Sequence, residues 1–477
     1  NSLCMNNDGG VIMSYFNFNA KPKFVSELDK GFRPAALENK AFLEAVEKSG
    51  KSASVKIAVE RANGQVSTYN TVIFAEGKTE ENLFYIERFV KTILWINGGW
   101  KVIIGGPQYI GDYIKKAYTN GGLREFDANF MSRIYEKEFS VICTNIENVP
   151  DSNESTNPIG RHLNGCRIGL DLGGSDRKVS AVIDGKPVYS EEVVWHPKTQ
   201  TDPDYHYKEI VEALKTAASH MPRVDAVGVS AAGVYVDNRV MVASLFLKVS
   251  DELFNKKVKD ILINAVNELG NIPLEVANDG DVTALAGSID LEDTNVLGLA
   301  MGTSEAGGYV DGKGNITGWL NELAFVPMDY NISAMVDEWS GDYGCGVKYF
   351  SQDAVIKLAP AAGIKLDSNL TPAEKLKVVQ ELHEKGDAGA AKIFETIGIY
   401  LGYTIAYYAN FYDIKHTLIL GRVTSGKGGN IIIDKATSVL KEEFPELAKK
   451  INMQLPDESN RRVGQSIAAA SLPKTNG

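Results

Sequence analysis

The stretch Arg167–Val182, RIGLDLGGSDRKVSAV, decides the fold. An apolar run containing one acid, Asp171, meets the pair Gly173-Gly174, and a second apolar run follows a few polar residues. This pattern predicts a strand, a tight loop and another strand. Glycines let the backbone turn tightly and aim its N–H groups at one point, which is how loops hold phosphate oxygens. The alternative is an ordinary glycine hairpin with a solvated aspartate, and the stretch alone favours neither.

The composition is that of a soluble globular protein: 477 residues, 44% hydrophobic and 23% charged. The net charge of −11 makes general nucleic-acid binding unexpected. No apolar run is long enough to span a membrane, and the N-terminus shows no signal-peptide pattern. The cysteines (Cys4, Cys143, Cys166 and Cys345) form no CxxC pair, so we predict neither a disulfide framework nor a metal knuckle. We therefore expect a cytoplasmic protein without a membrane partner.

Residues 1–150 are predicted to form a first α/β domain, whose role the sequence leaves open. Asn63-Gly64 lies between two strand-like runs, which is a strong hairpin signal, and helical and strand patterns alternate after it. The polar, proline-containing segment NVPDSNESTNP (148–158) indicates a linker, which we place at residues 151–165.

Three further strand ends carry glycines or acids. Gly302–Gly308 and Gly421–Gly429 each follow an apolar strand, and another strand ends at Asn278-Asp279. Ligands of α/β sheets bind where strands end in loops, so these turns are expected to converge. The chemistry they favour is phosphoryl transfer, in which loops hold nucleotide phosphates, magnesium offsets their charge and a carboxylate takes the proton of an attacking hydroxyl. Asp279 suits this base because it precedes a predicted helix; the alternative is a helix N-cap only. The second turn's glycines could likewise only shape a hairpin.

The order of these motifs resembles the ROK family of bacterial sugar kinases and sugar-responsive repressors, within the actin-like ATPase superfamily. The resemblance covers Arg167 to about Leu472. IGLDLGGSD resembles the family's first phosphate motif, VSAAGVYVDNR (229–239) its substrate-side loop, and EVANDGDVTALAG (275–287) the segment with the catalytic base. GLAMGTSEAGGYV (298–310) resembles the second phosphate motif, NEL (321–323) the start of the sugar-binding element, and LILGRVTSGKGG (418–429) the adenosine motif.

The resemblance implies a two-lobed actin-like ATPase (ribonuclease H-like) α/β core behind the additional domain. The small lobe is expected over residues 166–290 together with a C-terminal helix at 461–472, and the large lobe over 291–460. Asp279 is implied as the catalytic base, and Asp171 as an indirect Mg²⁺ ligand. The residues implied in sugar binding are Asn278, Glu322, Ala232 and Gly233. Those implied in ATP and phosphate binding are Asp171, Gly173, Gly174, Ser175, Gly302, Thr303, Ser304 and Gly421.

Five positions depart from the family pattern. Phe325 stands where the sugar-binding element often has a histidine. The cysteine-rich zinc motif is reduced to Cys345, so we predict no structural zinc. Glu305 lies among the glycines of the second phosphate motif, Asp176 follows the first, and Arg422 replaces a typical glycine of the adenosine motif.

These observations leave more than one function open. The first is phosphorylation of a sugar or sugar-derivative hydroxyl, with ATP and Mg²⁺ as cofactors. The alternative is a non-catalytic sugar- or nucleotide-binding sensor, because carboxylates beside phosphates are unfavourable unless they hold a cation or point away. A repressor is a weaker third reading, since residues 51–145 predict alternating strands and helices rather than a helix-turn-helix. The expected partners are a sugar and a nucleotide, and a homodimer is left open.

Overall fold

The computed structural model describes residues 16–154, 159–456 and 464–475. Within these ranges the chain forms three main sheets with helices packed against them, which confirms the predicted α/β class and the additional unit before the core. Residues 1–15 of the predicted first domain, 155–158 of the predicted linker and 461–463 of the predicted C-terminal helix lie outside the described residues. None of the helices in the described ranges combines the length and apolarity needed to cross a membrane.

The N-terminal unit, residues 16–154, is a four-stranded sheet with helices. Its elements are α1 (Ala35–Ser49), β1 (Ser52–Glu60), β2 (Val66–Phe74), α2 (Thr79–Asn97), β3 (Lys101–Gly105), α3 (Gln108–Ala117), α4 (Glu125–Tyr135) and β4 (Ser140–Thr144). The sheet order is β2-β1-β3-β4, with β1 antiparallel to both neighbours and β3 parallel to β4. The predicted hairpin joins β1 to β2, and both Asn63 and Gly64 have positive φ (57° and 69°).

The small lobe is built on the stretch that opened the sequence. Its elements are β5 (Cys166–Leu172), β6 (Asp176–Ile183), β7 (Lys186–Val194), α5 (Pro203–Ala218), β8 (Ala226–Ala231), β9 (Val234–Val236), β10 (Arg239–Val242), α6 (Asp251–Leu253), α7 (Ile261–Asn267) and β11 (Leu274–Asn278). The sheet order is β11-β8-β5-β6-β7, in which β5, β8 and β11 are parallel and β5, β6 and β7 form antiparallel hairpins. A separate hairpin, β9–β10, follows the end of β8.

Helix α8 (Asp279–Asp290) leads from β11 to the sheet of the large lobe. The elements of that lobe are β12 (Val296–Met301), β13 (Glu305–Val310), α9 (Gln352–Leu358), α10 (Pro372–Glu384), α11 (Ala388–Tyr408), β14 (His416–Leu420), α12 (Lys427–Glu443), α13 (Pro445–Lys450) and β15 (Asn452–Gln454). The sheet order is β13-β12-β14-β15, with only β13 antiparallel. The longest of these helices, α11, is almost entirely buried.

The last helix, α14 (Gln465–Ala470), returns to the small-lobe sheet. Glycines in the sheet allow it to come very close. A Cβ atom on Gly169 of β5 would lie 1.6 Å from the carbonyl oxygen of Ser466, and one on Gly228 of β8 would lie 1.7 Å from that of Ala469. These two strand glycines therefore determine where α14 and its first residue, Gln465, lie.

The N-terminal unit packs on the large lobe through one shared hydrophobic core. A buried ion cluster crosses the same interface. Asp342 of the large lobe accepts Arg88 Nη1 at 2.9 Å, Arg124 Nη1 at 3.0 Å and Lys91 Nζ at 3.2 Å. Asp342 and the buried Cys345 belong to the segment where the family resemblance would place a zinc motif.

The C-terminal end of α2 holds another large-lobe segment. The carbonyl oxygens of Trp95, Ile96 and Asn97 accept hydrogen bonds from the backbone N–H groups of residues 322, 321 and 320, at 3.1, 2.9 and 3.2 Å respectively. Helix-end carbonyls need such partners because the helix itself supplies none. The N-terminal unit thus fixes the backbone that carries Glu322.

Candidate active site

Asp279 opens α8 at the carboxyl end of β11. The helix N-cap is its neighbour Asn278, whose side chain accepts from the Gly280 N–H at 2.8 Å and donates to the Gly233 carbonyl at 2.7 Å. The Asp279 carboxylate also accepts from the Gly280 N–H, at 3.0 Å. Burial raises the pKa of Asp279 above its ordinary value. The structure thus brings three predicted residues, Asn278, Asp279 and Gly233, into contact.

A hydrogen-bonded link connects Asp279 to Asp171. The Ser230 hydroxyl donates to Asp171 at 2.9 Å, and Gln465 Nε2 contacts both the Ser230 hydroxyl (3.0 Å) and the Asp279 carbonyl (2.8 Å). Burial raises the pKa of Asp171 to about 6. Sequence reasoning missed Gln465, because no motif marks it and it reaches the site only through the tight packing of α14.

The first glycine loop is held from one side by residues just after β7. The Trp195 indole donates to the Gly173 carbonyl at 2.8 Å, and its backbone N–H donates to the Ser175 carbonyl at 3.1 Å. Lys198 lies across the loop, with Nζ 2.8 Å from the position that a Cβ on Gly174 would occupy. Lys198 is exposed and has no ion-pair partner among the described residues. Lys198 therefore places a positive charge that no carboxylate of the described residues neutralises beside the predicted phosphate loop. The sequence analysis did not predict this lysine as a site residue.

Asp176 closes the same loop. Its carbonyl accepts from the Gly173 N–H at 2.9 Å, and its carboxylate lies 3.7 Å from Lys178 Nζ. The charge that the sequence places beside this loop is therefore partly offset by a neighbouring lysine.

The second phosphate motif and the adenosine motif meet at Met301. The Gly302 N–H donates to the Ser304 carbonyl at 3.0 Å, which forms a tight turn with Thr303 and Ser304 exposed at its tip. Gly421 has φ 99°, and a Cβ there would lie 2.4 Å from the Met301 carbonyl oxygen. Only glycine suits such a position. Within the described ranges no hydrogen bond joins this turn to the first glycine loop.

The next glycines of this motif serve packing. A Cβ on Gly308 would lie 2.2 Å from the Gly280 carbonyl oxygen, and one on Gly280 would lie 2.4 Å from the Gly307 carbonyl oxygen. These three glycines let β13 lie directly against the start of α8, and so position Asp279.

Glu305 points into the protein interior. The residue is 3% exposed, one carboxylate oxygen accepts from the Tyr408 hydroxyl at 3.4 Å, and the other has no partner among the residues that the structure describes. Burial raises its pKa to about 8, so the group is mainly neutral at pH 7. The acid therefore places no negative charge on the phosphate turn.

Glu322 lies in the acidic part of the site. Burial, followed by the Asp279 charge, raises the pKa of Glu322 to about 7. Next to it, Asn321 donates to Asp281 at 2.9 Å and accepts from the Tyr412 hydroxyl at 2.8 Å. Asp281 is buried as well, and burial raises its pKa to about 7. Asp279, Asp281 and Glu322 thus lie in one region, Asp281 buried and the other two half-buried, in which few charges are favourable.

Phe325 packs into the N-terminal unit. Its ring centroid lies 4.2 Å from that of Trp95, 5.6 Å from that of Phe126 and 6.2 Å from that of Phe130. The residue that stands at the histidine position of the family motif is therefore part of an aromatic interface.

A cavity of about 520 Å³ adjoins the acceptor side of the site. Asn278 and Gly233 line it, as do Asp281 and the segment 316–320, and the N-terminal unit forms its outer wall. The carbonyl of Ala232, the remaining predicted sugar-side residue, accepts from the hydroxyl of Tyr235, which also lines the cavity, at 3.2 Å. The volume is typical of small-molecule sites.

Comparison with known proteins gives one family. The sequence profile of the ROK family matches residues 167–465, more than half of the chain. None of the curated proteins matches. A solved ROK family transcriptional regulator, a homolog of the E. coli Mlc protein, is 17% identical, with a TM-score of 0.51 over 65% of this chain and 78% of that chain.

Two solved kinases are similar at lower scores. The ROK hexokinase from Thermus thermophilus is 18% identical, with a TM-score of 0.49 over 64% of this chain and 97% of that chain. A ROK family glucokinase from Streptomyces griseus, in complex with glucose and AMPPNP, is 20% identical, with a TM-score of 0.46 over 65% and 99%. At such identities the regulator supports the fold alone, and the two kinases add no argument about activity.

Proposed function

This chain belongs to the ROK family, with its actin-like ATPase fold, and we propose that it transfers the terminal phosphoryl group of ATP to a hydroxyl of a sugar or sugar derivative. The family contains sugar kinases as well as transcriptional regulators, so membership alone leaves both functions open. The choice between them has to come from the site.

The link Asp171–Ser230–Gln465–Asp279 is the observation that carries the proposal. It joins the Asp171 carboxylate, on the nucleotide side, to the main-chain carbonyl of Asp279, on the acceptor side, and so holds the two residues in a single hydrogen-bonded arrangement. In the proposed reaction Asn278 and Glu322 hold the acceptor, and Asp279 takes its hydroxyl proton while the oxygen attacks the terminal phosphorus of ATP and the bond to ADP breaks. A raised pKa suits a general base, because the best base titrates near the working pH.

The nucleotide side has groups that would fit phosphates and magnesium. The loop Gly173–Ser175 and the turn Gly302–Ser304 would supply backbone N–H groups other than those of Gly173 and Gly302, which are bonded within their own turns. Thr303 and Ser304 are exposed there. Asp171 would hold Mg²⁺ indirectly; the ion would offset phosphate charge and lower the barrier to transfer. Glu305 faces inward and Asp176 lies near Lys178. These two acidic departures from the family pattern are therefore less unfavourable for phosphate binding than the sequence suggests.

A second candidate is a non-catalytic protein that binds a sugar or nucleotide and signals by lobe closure. Phe325 is the observation that favours it, because a ring packed on Trp95 offers no hydrogen bond to a sugar. The same acceptor site would then be used for binding only.

The test is Asp279→Asn, with the surface substitution Asp434→Asn as a matched control. In wild-type protein incubated with Mg-ATP and a panel of sugars, we expect ADP release that depends on one sugar. Asp279→Asn should lower this turnover by at least about a hundredfold, the usual contribution of a general base, while the melting temperature stays close to that of wild type. Turnover like that of wild type in Asp279→Asn would refute the assignment. Sugar-induced thermal shifts without any ADP release would favour the binding protein.

A further inference from the structure

The cavity beside Asn278 has a wall that comes from the N-terminal unit. Arg61, Ala62, Asn63 and Tyr135 line it opposite Asn278 and Gly233, residues that the family motif assigns to the sugar. The hairpin β9–β10 is tied to this wall by the Asn63 side chain, which donates to Asp237 at 2.9 Å. The additional unit therefore borders the space beside Asn278 and Gly233, whereas Asp279 and Glu322 are not among its lining residues.

The unit that forms this wall contacts both lobes. Glu136, one residue past α4, pairs with Arg239 at 2.5 Å and Lys259 at 2.6 Å, which joins the N-terminal unit to the small lobe. The carbonyl end of α2 and the shared core join it to the large lobe. Because the N-terminal unit contacts both lobes beside the cavity, it limits which molecules fit there.

Among the described residues that line this cavity, one carboxylate has no partner. Glu275 of β11 lines the cavity, is largely buried and has no hydrogen bond or ion pair with any described residue. The Arg61 guanidinium, by contrast, is already bonded to Ser67 (2.6 Å), Gln65 (3.0 Å) and Glu154. A carboxylate in such a place favours a ligand that offers hydroxyl or ammonium donors.

The remaining lining agrees with a carbohydrate. Trp319, Tyr135 and Tyr235 give the cavity aromatic surface, on which the C–H faces of a sugar ring can pack. Asp237, Glu275 and Asp281 line the same space. Among the described residues of this lining, the cation without a hydrogen bond or ion pair is Lys474, which is exposed. An anionic acceptor would meet these acids without a matching cation inside.

We propose that this cavity is the far part of the acceptor site, that the N-terminal unit is its outer wall, and that the cavity selects a neutral or amine-bearing sugar whose donors bind Glu275. That the bound sugar accepts a phosphoryl group rests on the proposed kinase function, whereas the binding of the sugar in this cavity does not.

The experiment measures sugar binding by calorimetry without nucleotide, so that its result is independent of ADP release. The probes are three matched sets, each with a hexose, its 2-amino sugar and its uronate: glucose, galactose and mannose with their derivatives. In at least one set we expect the amino sugar to bind at least as tightly as the hexose, and the uronate about tenfold more weakly. Tightest binding of a uronate, or no binding in any set, would overturn the proposal.

Two variants locate the binding. Glu275→Gln should weaken the amino sugar by about tenfold and the hexose less, whereas the exposed control Glu252→Gln should change neither. Ala62→Trp, which fills the cavity from the N-terminal side, should abolish sugar binding while the melting temperature stays within a few degrees of wild type. Unchanged sugar binding in either Glu275→Gln or Ala62→Trp would show that the sugar lies elsewhere. Confirmed binding without ADP release would leave this inference standing and refute only the kinase proposal.

Discussion

At the residue scale, six carboxyl groups in or beside the site have a raised pKa, and burial is the largest cause in each of them. They are Asp171, Glu275, Asp279, Asp281, Glu305 and Glu322. A carboxyl group with a raised pKa keeps its proton in the folded chain after the unfolded chain has lost it. Over that pH window the unfolded state binds fewer protons, so each group makes the folded state less stable as the pH rises.

Glu305 gives the clearest window, because its pKa is raised from 4.5 to about 8. We expect Glu305→Gln, which removes the charge at nearly constant shape, to melt close to wild type at pH 5 and a few degrees above it at pH 8. Thermal unfolding at pH 5, 6, 7 and 8 measures this difference. The exposed substitution Glu252→Gln serves as control, and an offset for Glu305→Gln that stays constant with pH would contradict the expectation.

Some site residues were predictable from sequence and others were not, for a physical reason. Asn278 and Asp279 follow an apolar strand and begin a helix, so local pattern places them at a strand end. Gln465 and Lys198 reach the site only because distant elements pack there. The inward orientation of Glu305 was equally hidden, since it depends on what covers β13.

At the element scale, two glycines inside strands determine where helix α14 lies, and with it the position of Gln465 in the site. Gly169 and Gly228 leave room for the helix backbone at distances that no Cβ would permit. The strand–loop–strand pattern around Gly173 was readable from sequence, whereas glycine inside a strand gives no sign of what approaches it. Gly307 and Gly308 are a similar case: their sequence context suggests a phosphate loop or a hairpin, and the structure packs them on α8.

Gly169→Ala tests this packing, with Gly464→Ala as control because a Cβ at Gly464 meets no atom within 4 Å. The added methyl on Gly169 forces α14 away from β5, at a cost of about 1–3 kcal/mol or more for overpacking. We expect a clearly lower melting temperature and faster amide exchange in residues 465–470 for Gly169→Ala, and little change for Gly464→Ala. Equal behaviour of the two variants would show that α14 is not held by this contact.

At the scale of the whole molecule, two of the departures from the family motifs are residues that contact the additional N-terminal unit. Phe325, at the histidine position, packs on Trp95, and Asp342, in the segment expected for zinc, binds Arg88, Lys91 and Arg124. Both departures therefore lie at the interface with the N-terminal unit. The sequence alone showed that the histidine and the zinc cysteines are missing from the motifs. It did not show the contacts made in their place, because the partner residues lie more than 200 positions away in the chain.

The ion cluster at this interface balances three cations, Arg88, Lys91 and Arg124, against three carboxylates, Glu87, Asp127 and Asp342. Although burial alone would raise it, these cations hold the pKa of Asp342 well below its usual range. Asp342→Asn leaves one buried positive charge unmatched, so we expect a loss of about 3–5 kcal/mol in stability, as for other broken buried pairs. Glu76→Gln, which breaks the exposed pair with Lys51, should cost less than about 1 kcal/mol.

The double variant Asp342→Asn/Lys91→Met separates charge from contact. Removing Lys91 as well restores the balance of buried charges. The double variant should therefore be destabilised by less than the sum of the effects of the two single substitutions. Denaturant unfolding of all four proteins measures the coupling energy, and simple additivity would mean that the cluster acts through packing rather than charge.

Calorimetry of the wild type should show the N-terminal unit and the large lobe melting in one transition, since a shared core and a buried ion cluster oblige them to unfold together.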